Sequence, residues 1–161
     1  MVIVLLGVSG SGKTTLGKML AAKLGWPFYE ADDFHPAANI AKMSQGLPLT
    51  DADRAPWLIA LAERIHVCLQ AETNAVFTCS GLKQAYRDRL RLKNEGLQFV
   101  FLKGDYALVE RRLSARRDHF MPPGLLGSQF AALETPTDAL MIDVAQPPED
   151  CVQSIKRGLG L

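Results

Sequence analysis

The chain has 161 residues, of which 48% are hydrophobic and 22% are charged, and its formal net charge at pH 7 is +1. This length and composition predict one globular domain over residues 1–161 that buries its own core. The near-neutral charge gives no general attraction to nucleic acid or to an anionic membrane, so neither is expected as a partner. The longest apolar run, the opening MVIVLLGV, is too short to cross a bilayer and follows no basic leader, which predicts a cytoplasmic protein.

The first predicted elements are a strand, a glycine-rich turn and a helix. Residues 2–6, VIVLL, are a continuous apolar run rich in β-branched side chains, typical of a parallel strand buried on both faces. Apolar residues at helical spacing from Leu16 to Leu24 predict a helix that Gly25 ends. Between them, GVSGSGKT at 7–14 matches the P-loop pattern Gly-x-x-x-x-Gly-Lys-Ser/Thr. An ordinary Gly/Ser-rich turn is the alternative, and the strand and helix around it disfavour that alternative.

The P-loop pattern gives each fixed position a physical role. Its glycines let the backbone bend so that N–H groups, together with the positive end of the following helix, hold phosphate oxygens. Lys13 would place a positive charge on the β- and γ-phosphates, and Thr14 would offer its hydroxyl to Mg²⁺. The predicted nucleotide-binding residues of this loop are Gly7, Ser9, Gly10, Ser11, Gly12, Lys13, Thr14 and Thr15.

Strands and helices alternate along the rest of the chain. Further strands are predicted at 27–31, 75–79, 97–102 and 139–144, and helices at 56–70, 84–94, 105–117, 124–134 and 148–158. This alternation predicts an α/β fold in which one mostly parallel sheet carries helices on both faces. In such a sheet ligands bind beyond the carboxyl ends of the strands, which is where the P-loop lies.

One connection is too long for a simple crossover, because about 40 residues, from 33 to 74, separate two predicted strands. Its first half carries many polar side chains: Asn39, Lys42, Gln45, Thr50, Asp51, Asp53 and Arg54. A solvated loop with a surface helix would explain this composition. A P-loop enzyme that transfers phosphate also has to hold a second substrate, so we predict an acceptor-binding insertion at about 33–56.

The motifs favour a small-molecule kinase over other P-loop proteins. The guanine-binding sequence Asn-Lys-x-Asp of GTP switches is absent from the chain. The strand at 75–79 ends in Cys79 and Ser80, not in the metal-binding acid of a motor or transporter ATPase. These two residues are not expected to be a hydrolytic nucleophile, since no motif places a histidine to activate them. An ATPase or a nucleotide-binding regulatory module without an acceptor is the alternative from another class.

Phosphoryl transfer to a hydroxyl requires an acid, cations and exclusion of water. Asp32 and Asp33 follow a predicted strand, and Asp32 is predicted to orient or deprotonate the acceptor; two exposed turn carboxylates are the alternative. The run ERRLSARRDHF at 110–120 precedes the proline-rich MPPG and predicts a basic lid at about 116–128. The arginines of the run at 110–120 are Arg111, Arg112, Arg116 and Arg117. A solvated helix face is the alternative explanation for this cluster.

A second pair of cations lies after the strand at 75–79. Lys83 and Arg87 are four residues apart, on one face of a predicted helix, where they suit a substrate carboxylate. The acids and amides of the insertion suit a polyhydroxylated molecule. Together they indicate a small sugar acid, with ordinary surface charge as the alternative.

The cysteines and histidines give no sign of a disulfide framework or a metal cluster. Cys68, Cys79 and Cys151 are odd in number and widely spaced, so reduced core cysteines are predicted. The histidines, His35, His66 and His119, are likewise too scattered for a metal cluster.

Six blocks, in order and spanning nearly the whole chain, resemble the gluconate kinase (gluconokinase) family of P-loop kinases. They are GVSGSGKT, ADDFHPAANIAKMSQGLPLTDADRAPWL, CSGLKQAYRDRLR, FLKGD, HFMPPGLLGSQFAALE and the QP at 146–147. The block at 31–58 is far more specific than the P-loop, which many unrelated proteins share. A shikimate kinase, the nearest enzyme alternative, would lack the HPAANIAKM segment.

The resemblance implies a three-layer, nucleoside-monophosphate-kinase-like fold and transfer of the γ-phosphoryl group of ATP, with Mg²⁺, to the 6-hydroxyl of D-gluconate. It also implies a homodimer. The implied catalytic residues are Lys13, Asp32 and Arg116, and the implied gluconate-binding residues are Asp32, His35, Arg54, Lys83 and Arg87. Arg112, Arg116, Gln146 and Pro147 are implied on the nucleotide, with Thr14 as the metal ligand.

Two positions depart from the family pattern. Gly81 stands where an alanine is expected, and Ala145 stands where the family often has an acid. The first change loosens a turn, and the second affects contacts on the nucleobase side. Neither removes a group predicted to act in phosphoryl transfer.

Overall fold

The apolar runs of the chain form one parallel sheet in the computed structural model, which describes residues 1–115 and 124–161. Its strands are β1 (Val2–Leu6), β2 (Phe28–Glu30), β3 (Ala75–Cys79), β4 (Leu97–Lys103) and β5 (Leu140–Asp143), in the spatial order β2-β3-β1-β4-β5. Every pairing is parallel, and Val2 of the central strand lies opposite Ala75 and Leu97. The carboxyl ends of the strands therefore share the edge at which β1 leads into the P-loop.

Helices cover both faces of the sheet. They are α1 (Lys13–Leu24), α2 (Ala37–Ser44), α3 (Asp51–Gln70), α4 (Gln84–Arg91), α5 (Tyr106–Ser114), α6 (Leu125–Ala132) and α7 (Pro148–Leu159). The helices α1 and α7 pack together on one face, and α3 and α4 pack together on the other. The predicted three-layer α/β fold is confirmed.

The two cores follow from the alternation of side chains along a strand. Val2, Val4 and Leu6 of β1 enter the cluster that contains side chains of α3 and α4. Ile3 and Leu5, which point to the other face, enter the cluster formed with α1 and α7. All five are fully buried, as predicted for a central parallel strand.

The long connection after β2 contains two α-helices, α2 and α3, and α3 begins earlier than predicted. The sequence pattern placed its start at 56, whereas α3 begins at Asp51. Thr50 accepts a hydrogen bond from the Asp53 N–H, and the Asp53 carboxylate accepts one from the Thr50 N–H. This capping box starts the helix five residues before Pro56, which then lies inside it.

Helix α2 lies in a segment where the periodicity predicted no helix, and the remaining boundaries fall close to their predicted positions. Gly25 ends α1 with a φ of 68°, as expected for a glycine C-cap. Cys68, Cys79 and Cys151 are buried free thiols, as predicted. Residues 116–123, which include Arg116, Arg117 and much of the predicted lid at 116–128, lie outside the described residues. Within the described ranges, no helix is long and apolar enough to span a bilayer.

Candidate active site

The P-loop turns from β1 into α1 through glycines in conformations that disfavour other residues. Gly10 and Gly12 have φ values of 79° and 96°, in the left-handed region. A Cβ atom on Gly10 would lie 2.6 Å from Leu113 Cγ of α5, so the loop also packs too closely for a side chain there. The backbone is therefore fixed in a bent form with the N-terminus of α1 directly behind it.

The side chains that follow this bend lie at the start of α1. Lys13 reaches back over the loop, and its Nζ donates to the carbonyl oxygens of Gly7 and Val8, at 2.9 Å each. Thr14 and Thr15 are exposed in the first helical turn. N–H groups of a first turn have no partner within their own helix, and they carry the positive end of its dipole. This arrangement suits phosphate oxygens.

Sequence reasoning missed a residue that supports this loop from a distant part of the chain. Gln129 of α6 accepts a hydrogen bond from the Ser9 N–H at 2.7 Å and donates from its Nε2 to Ser9 Oγ at 3.2 Å. The Ser9 N–H is therefore paired within the protein, and this contact fixes one point of the loop. Only the polar character of Gln129 beside the apolar residues of α6 could have drawn attention to it.

The segment after α6 also reaches the other side of the site. The Glu134 N–H donates to the Leu82 carbonyl at 2.8 Å, and a Glu134 carboxylate oxygen accepts from the Gln84 N–H at 2.5 Å. Residues 125–134 thus contact both the P-loop and the loop that follows β3.

A cavity of about 310 Å³ opens beside the P-loop, between α1, α5 and α7. It is lined by Gly10, Ser11, Gly12, Thr15, Leu16, Arg112, Ala115, Val144, Gln146, Pro148 and Cys151. Arg112 donates to the Val144 carbonyl at 2.6 Å, which holds the guanidinium at the cavity wall. The predicted residues Arg112 and Gln146 therefore lie beside the P-loop, and Pro147 caps the start of α7. The size and position of this cavity suit the base and ribose of a nucleotide.

Asp32 lies in a short 3-10 helix, Ala31–Phe34, at the carboxyl end of β2, and His35 directly follows that helix. The Asp32 side chain is 83% exposed, whereas that of His35 is 5% exposed, and His35 Nε2 lies 4.0 Å from Asp32 Oδ1. The His35 ring stacks on Trp57 of α3 with 4.5 Å between centroids. Burial lowers the pKa of the His35 imidazole; the Asp32 carboxylate raises it and Arg54 lowers it, both less strongly.

Three side chains surround Asp51 of α3 in an ion cluster: Arg54 of the same helix, Lys83 just before α4, and Tyr86 of α4. Lys83 Nζ lies 3.1 Å from both carboxylate oxygens of Asp51, and an Arg54 nitrogen lies 3.7 Å from one of them. The Tyr86 hydroxyl also donates to Asp51. These hydrogen bonds, from Tyr86 first and then Lys83, lower the pKa of Asp51, and the bond to Asp51 raises the pKa of Lys83. The cluster carries two positive charges against one negative charge, so it suits an added anion.

Arg87 is placed differently from its predicted partner Lys83. Lys83 is the residue that caps α4, whereas Arg87 is 1% exposed inside that helix. The Arg87 guanidinium donates to the Gly81 carbonyl at 2.7 Å, the Leu82 carbonyl at 3.2 Å and Gln84 Oε1 at 2.7 Å. Burial lowers its pKa. The two cations are thus not joined in one surface pair, and Arg87 supports the loop on which Lys83 lies.

That loop also explains the glycine at position 81. Gly81 has a φ of 49°, and a Cβ atom there would lie 2.6 Å from Leu6 Cδ2.

Cys79, at the end of β3, is fully buried, and this burial raises its pKa to about 12. A thiol held neutral in this way is a poor nucleophile.

Among the described residues, no group of three or more His, Cys, Asp or Glu side chains is placed to hold a metal ion. The Thr14 hydroxyl, together with oxygens of a bound nucleotide, would supply oxygen ligands for a Mg²⁺ ion at this site. The exposed position of Thr14 at the loop fits that use.

Comparisons with known proteins agree with this geometry. A family model described as an AAA domain matches residues 2–136. The chain is 44% identical over 160 residues to the thermosensitive gluconokinase of Escherichia coli (strain K12), and the match covers 94% of this chain and 86% of that protein. The crystal structure of a gluconokinase from Sinorhizobium meliloti 1021 superimposes with a TM-score of 0.88 at 45% identity, covering 98% of this chain and 90% of that one. A shikimate kinase from Bacteroides thetaiotaomicron has a TM-score of 0.71 at 24% identity over 100% of this chain and 99% of that one, a likeness of fold alone.

Proposed function

Because the chain belongs to the gluconokinase family of P-loop kinases, we propose that it transfers the γ-phosphoryl group of ATP to the 6-hydroxyl of D-gluconate. The products are 6-phospho-D-gluconate and ADP. The observation that carries this proposal is the shared edge of the sheet. There, the P-loop lies at the end of β1, the acid Asp32 follows β2, and the Lys83 loop follows β3.

The nucleotide side of the reaction uses the P-loop and the cavity beside it. Lys13 and the first-turn N–H groups of α1 hold the phosphates, while Arg112 and Gln146 line the cavity proposed for the nucleoside. Pro147, the residue before α7, is assigned to the nucleotide from the family resemblance. Mg²⁺, held by Thr14 with phosphate oxygens, would neutralise charge on the phosphates when bound. Arg116 is proposed from the family resemblance as a further cation on the transferring phosphoryl group.

The acceptor side uses side chains from three elements. Asp32 orients the 6-hydroxyl and accepts its proton, and its exposed carboxylate is free to approach a substrate. Lys83 and Arg54 attract the gluconate carboxylate, because their two charges exceed the single charge of Asp51. His35 lies beside Asp32, and Arg87 holds the Lys83 loop in place.

The metal, the oligomeric state and the cellular location are proposed from the family resemblance and from general chemical arguments. Mg²⁺ is the metal, because phosphoryl transfer from ATP requires a hard cation on its phosphates. The protein is a homodimer. It works in the cytoplasm, where ATP is available and where free thiols such as Cys68, Cys79 and Cys151 stay reduced.

Production of ADP from MgATP tests the proposal, with D-gluconate, shikimate, D-glucose or no acceptor in parallel reactions. We expect strong turnover with D-gluconate alone and a product with the mass of 6-phospho-D-gluconate. Turnover with shikimate would indicate another small-acid kinase. Release of ADP that ignores every acceptor would support an ATPase or regulatory module instead, and would overturn the kinase proposal.

A further inference from the structure

A buried amide on α2 fixes the hydrogen-bonding pattern of His35. Asn39, which is 3% exposed, places its Nδ2 2.8 Å from the Asp53 carbonyl oxygen and 3.2 Å from His35 Nδ1. An amide nitrogen has two hydrogens and only donates, and the flipped amide would set two oxygens against each other at the Asp53 carbonyl. Nδ1 of His35 therefore accepts, so the neutral ring carries its proton on Nε2.

The protonated edge of the ring faces the proposed catalytic acid. His35 Nε2 and Asp32 Oδ1 are 4.0 Å apart, so one oxygen atom can lie at about 2.8 Å from both. A donor and an acceptor at this separation match a hydroxyl group, which accepts and donates at once.

We propose that His35 and Asp32 together bind one hydroxyl of the acceptor, and that Asn39 is the positioning residue that fixes which of them donates. This inference rests on the proposed function. The hydroxyl donates its proton to Asp32 and accepts the Nε2–H of His35, which leaves its second lone pair to face the phosphoryl group. If the ring proton were on Nδ1, two acceptors would face the hydroxyl and its orientation would be lost.

Helix α3 holds both partners of this hydroxyl site. Trp57 stacks on the His35 ring with 15° between the planes, and its Nε1 donates to the Ala31 carbonyl at 2.7 Å, next to Asp32. Asp53, whose carbonyl orients Asn39, belongs to the same helix. The donor and the acceptor therefore keep their separation as a unit.

A second histidine in the described part of the chain, His66, has the opposite hydrogen-bonding pattern at Nδ1. It serves as an internal reference for the tautomer of His35. Asn94 donates from its Nδ2 to the carbonyls of Leu90, at 2.6 Å, and Ala62, at 3.3 Å. Its Oδ1 therefore faces His66 Nδ1, at 3.2 Å, and accepts from it. His66 is expected to carry its proton on Nδ1 when neutral.

Nitrogen-15 NMR of the imidazole rings in the full chain tests the tautomers directly, above the ordinary imidazole pKa of about 6.5. His35→Gln and His66→Gln assign the signals. We expect His35 protonated on Nε2 and His66 protonated on Nδ1 in the same spectrum. A His35 ring protonated on Nδ1 would overturn the inference without any reference to activity.

The functional test uses Asn39→Asp, which replaces the amide donor by an acceptor of the same size. We expect the His35 proton to move to Nδ1 and kcat to fall by about tenfold or more, with the KM for ATP unchanged. In a His35→Gln background the same change should alter kcat by about twofold or less, because no tautomer remains to be set. Asn74→Asp, the same change at a surface site that contacts Met1, is the matched control. Normal kcat in Asn39→Asp with a moved ring proton would contradict the proposal.

Addition of D-gluconate to the unaltered protein gives a result that needs no folded variant. The His35 Nε2 signal should shift while the His66 signals stay in place. Turnover of D-gluconate with an unmoved His35 signal would overturn this inference alone. Absence of turnover would overturn the proposed function, whatever the tautomer.

Discussion

The two halves of the site are built from different parts of the molecule. The proposed nucleotide half is a continuous loop, and the groups proposed to bind anions are largely backbone N–H groups held by glycine conformations. The proposed acceptor half consists of side chains from the segment after β2, from α3, and from α4 and the residue before it. Substitutions in the first half should therefore affect every reaction of the nucleotide, whereas those in the second should distinguish between acceptors.

The largest effect is expected at Lys13, the side chain that we propose holds the phosphates. Lys13→Met should lower kcat by about 10³-fold, since loss of one fixed transition-state partner costs about 10²–10³-fold and here a full charge is lost. ADP release with saturating D-gluconate measures it. Lys18→Met, on the same helix but lying over the Phe28 ring, is the control and should keep kcat near normal.

Asp32→Asn is expected to have the next largest effect. It removes the proton acceptor but keeps the shape of the side chain, so kcat should fall by about 10²–10⁴-fold with little change in the KM for ATP. The matched control is Asp33→Asn, one residue along the same exposed turn. If Asp33→Asn lost activity and Asp32→Asn did not, the assignment of the acid would be wrong.

Lys83→Gln should affect the binding of one substrate only, which separates the acceptor half from the nucleotide half. A charged hydrogen bond to the gluconate carboxylate contributes about 1.5–3 kcal/mol, so the KM for D-gluconate should rise about 10- to 100-fold. The KM for ATP should stay the same. Arg89→Gln, on the exposed face of α4, is the control. Equal increases in both KM values would argue against recognition of the carboxylate.

Arg87 should differ from Lys83 in the same assay, because its guanidinium is buried against the Gly81 and Leu82 carbonyls. Arg87→Met should lower the melting temperature as well as raise the KM for D-gluconate. Arg87→Lys should not restore either property, since one ammonium cannot match a guanidinium that bonds three acceptors. A raised KM with an unchanged melting temperature would instead indicate direct contact with the substrate.

The smallest effect concerns the acid stability of the acceptor half. Hydrogen bonds from Lys42 and Thr50 lower the pKa of Asp53 to about 2, below the ordinary value of about 3.9 in an unfolded chain. The carboxylate therefore stabilises the fold fully above about pH 4, and this contribution is lost as the pH falls towards 2. The melting temperature of Asp53→Asn should lie below that of the unaltered protein at pH 6, and the difference should shrink between pH 4 and 2. A difference independent of pH would contradict this origin.

The sequence predicts the local structure of the proposed nucleotide half far better than that of the proposed acceptor half. β1 and β3 fall at their predicted bounds because both are continuous apolar runs, and the P-loop is a local motif whose spacing carries its geometry. The predicted family and fold are likewise confirmed. The assigned roles of the site residues stay predictions.

The acceptor half depends on contacts that a linear pattern does not contain. The early start of α3 had a local signal, the Thr-x-x-Asp at 50–53, which Pro56 masked. The burial of Arg87 had none, because arginine is ordinarily exposed and its spacing from Lys83 fitted a surface pair. The contact of Gln129 with Ser9 joins positions 120 residues apart, which periodicity cannot reveal.

That contact limits how freely this kinase can be recombined with its relatives. Residues 125–134 bind Ser9 through Gln129 and bind the Leu82–Gln84 loop through Glu134. A cassette that exchanged all of α6 and ended at Glu134 would therefore separate Gln129 and Glu134 from their partners, whereas one that ended at 128 would cut through α6 but leave both contacts in place. In a chimaera, a segment that extends to Glu134 has to be exchanged together with its matching partners at Ser9, Leu82 and Gln84.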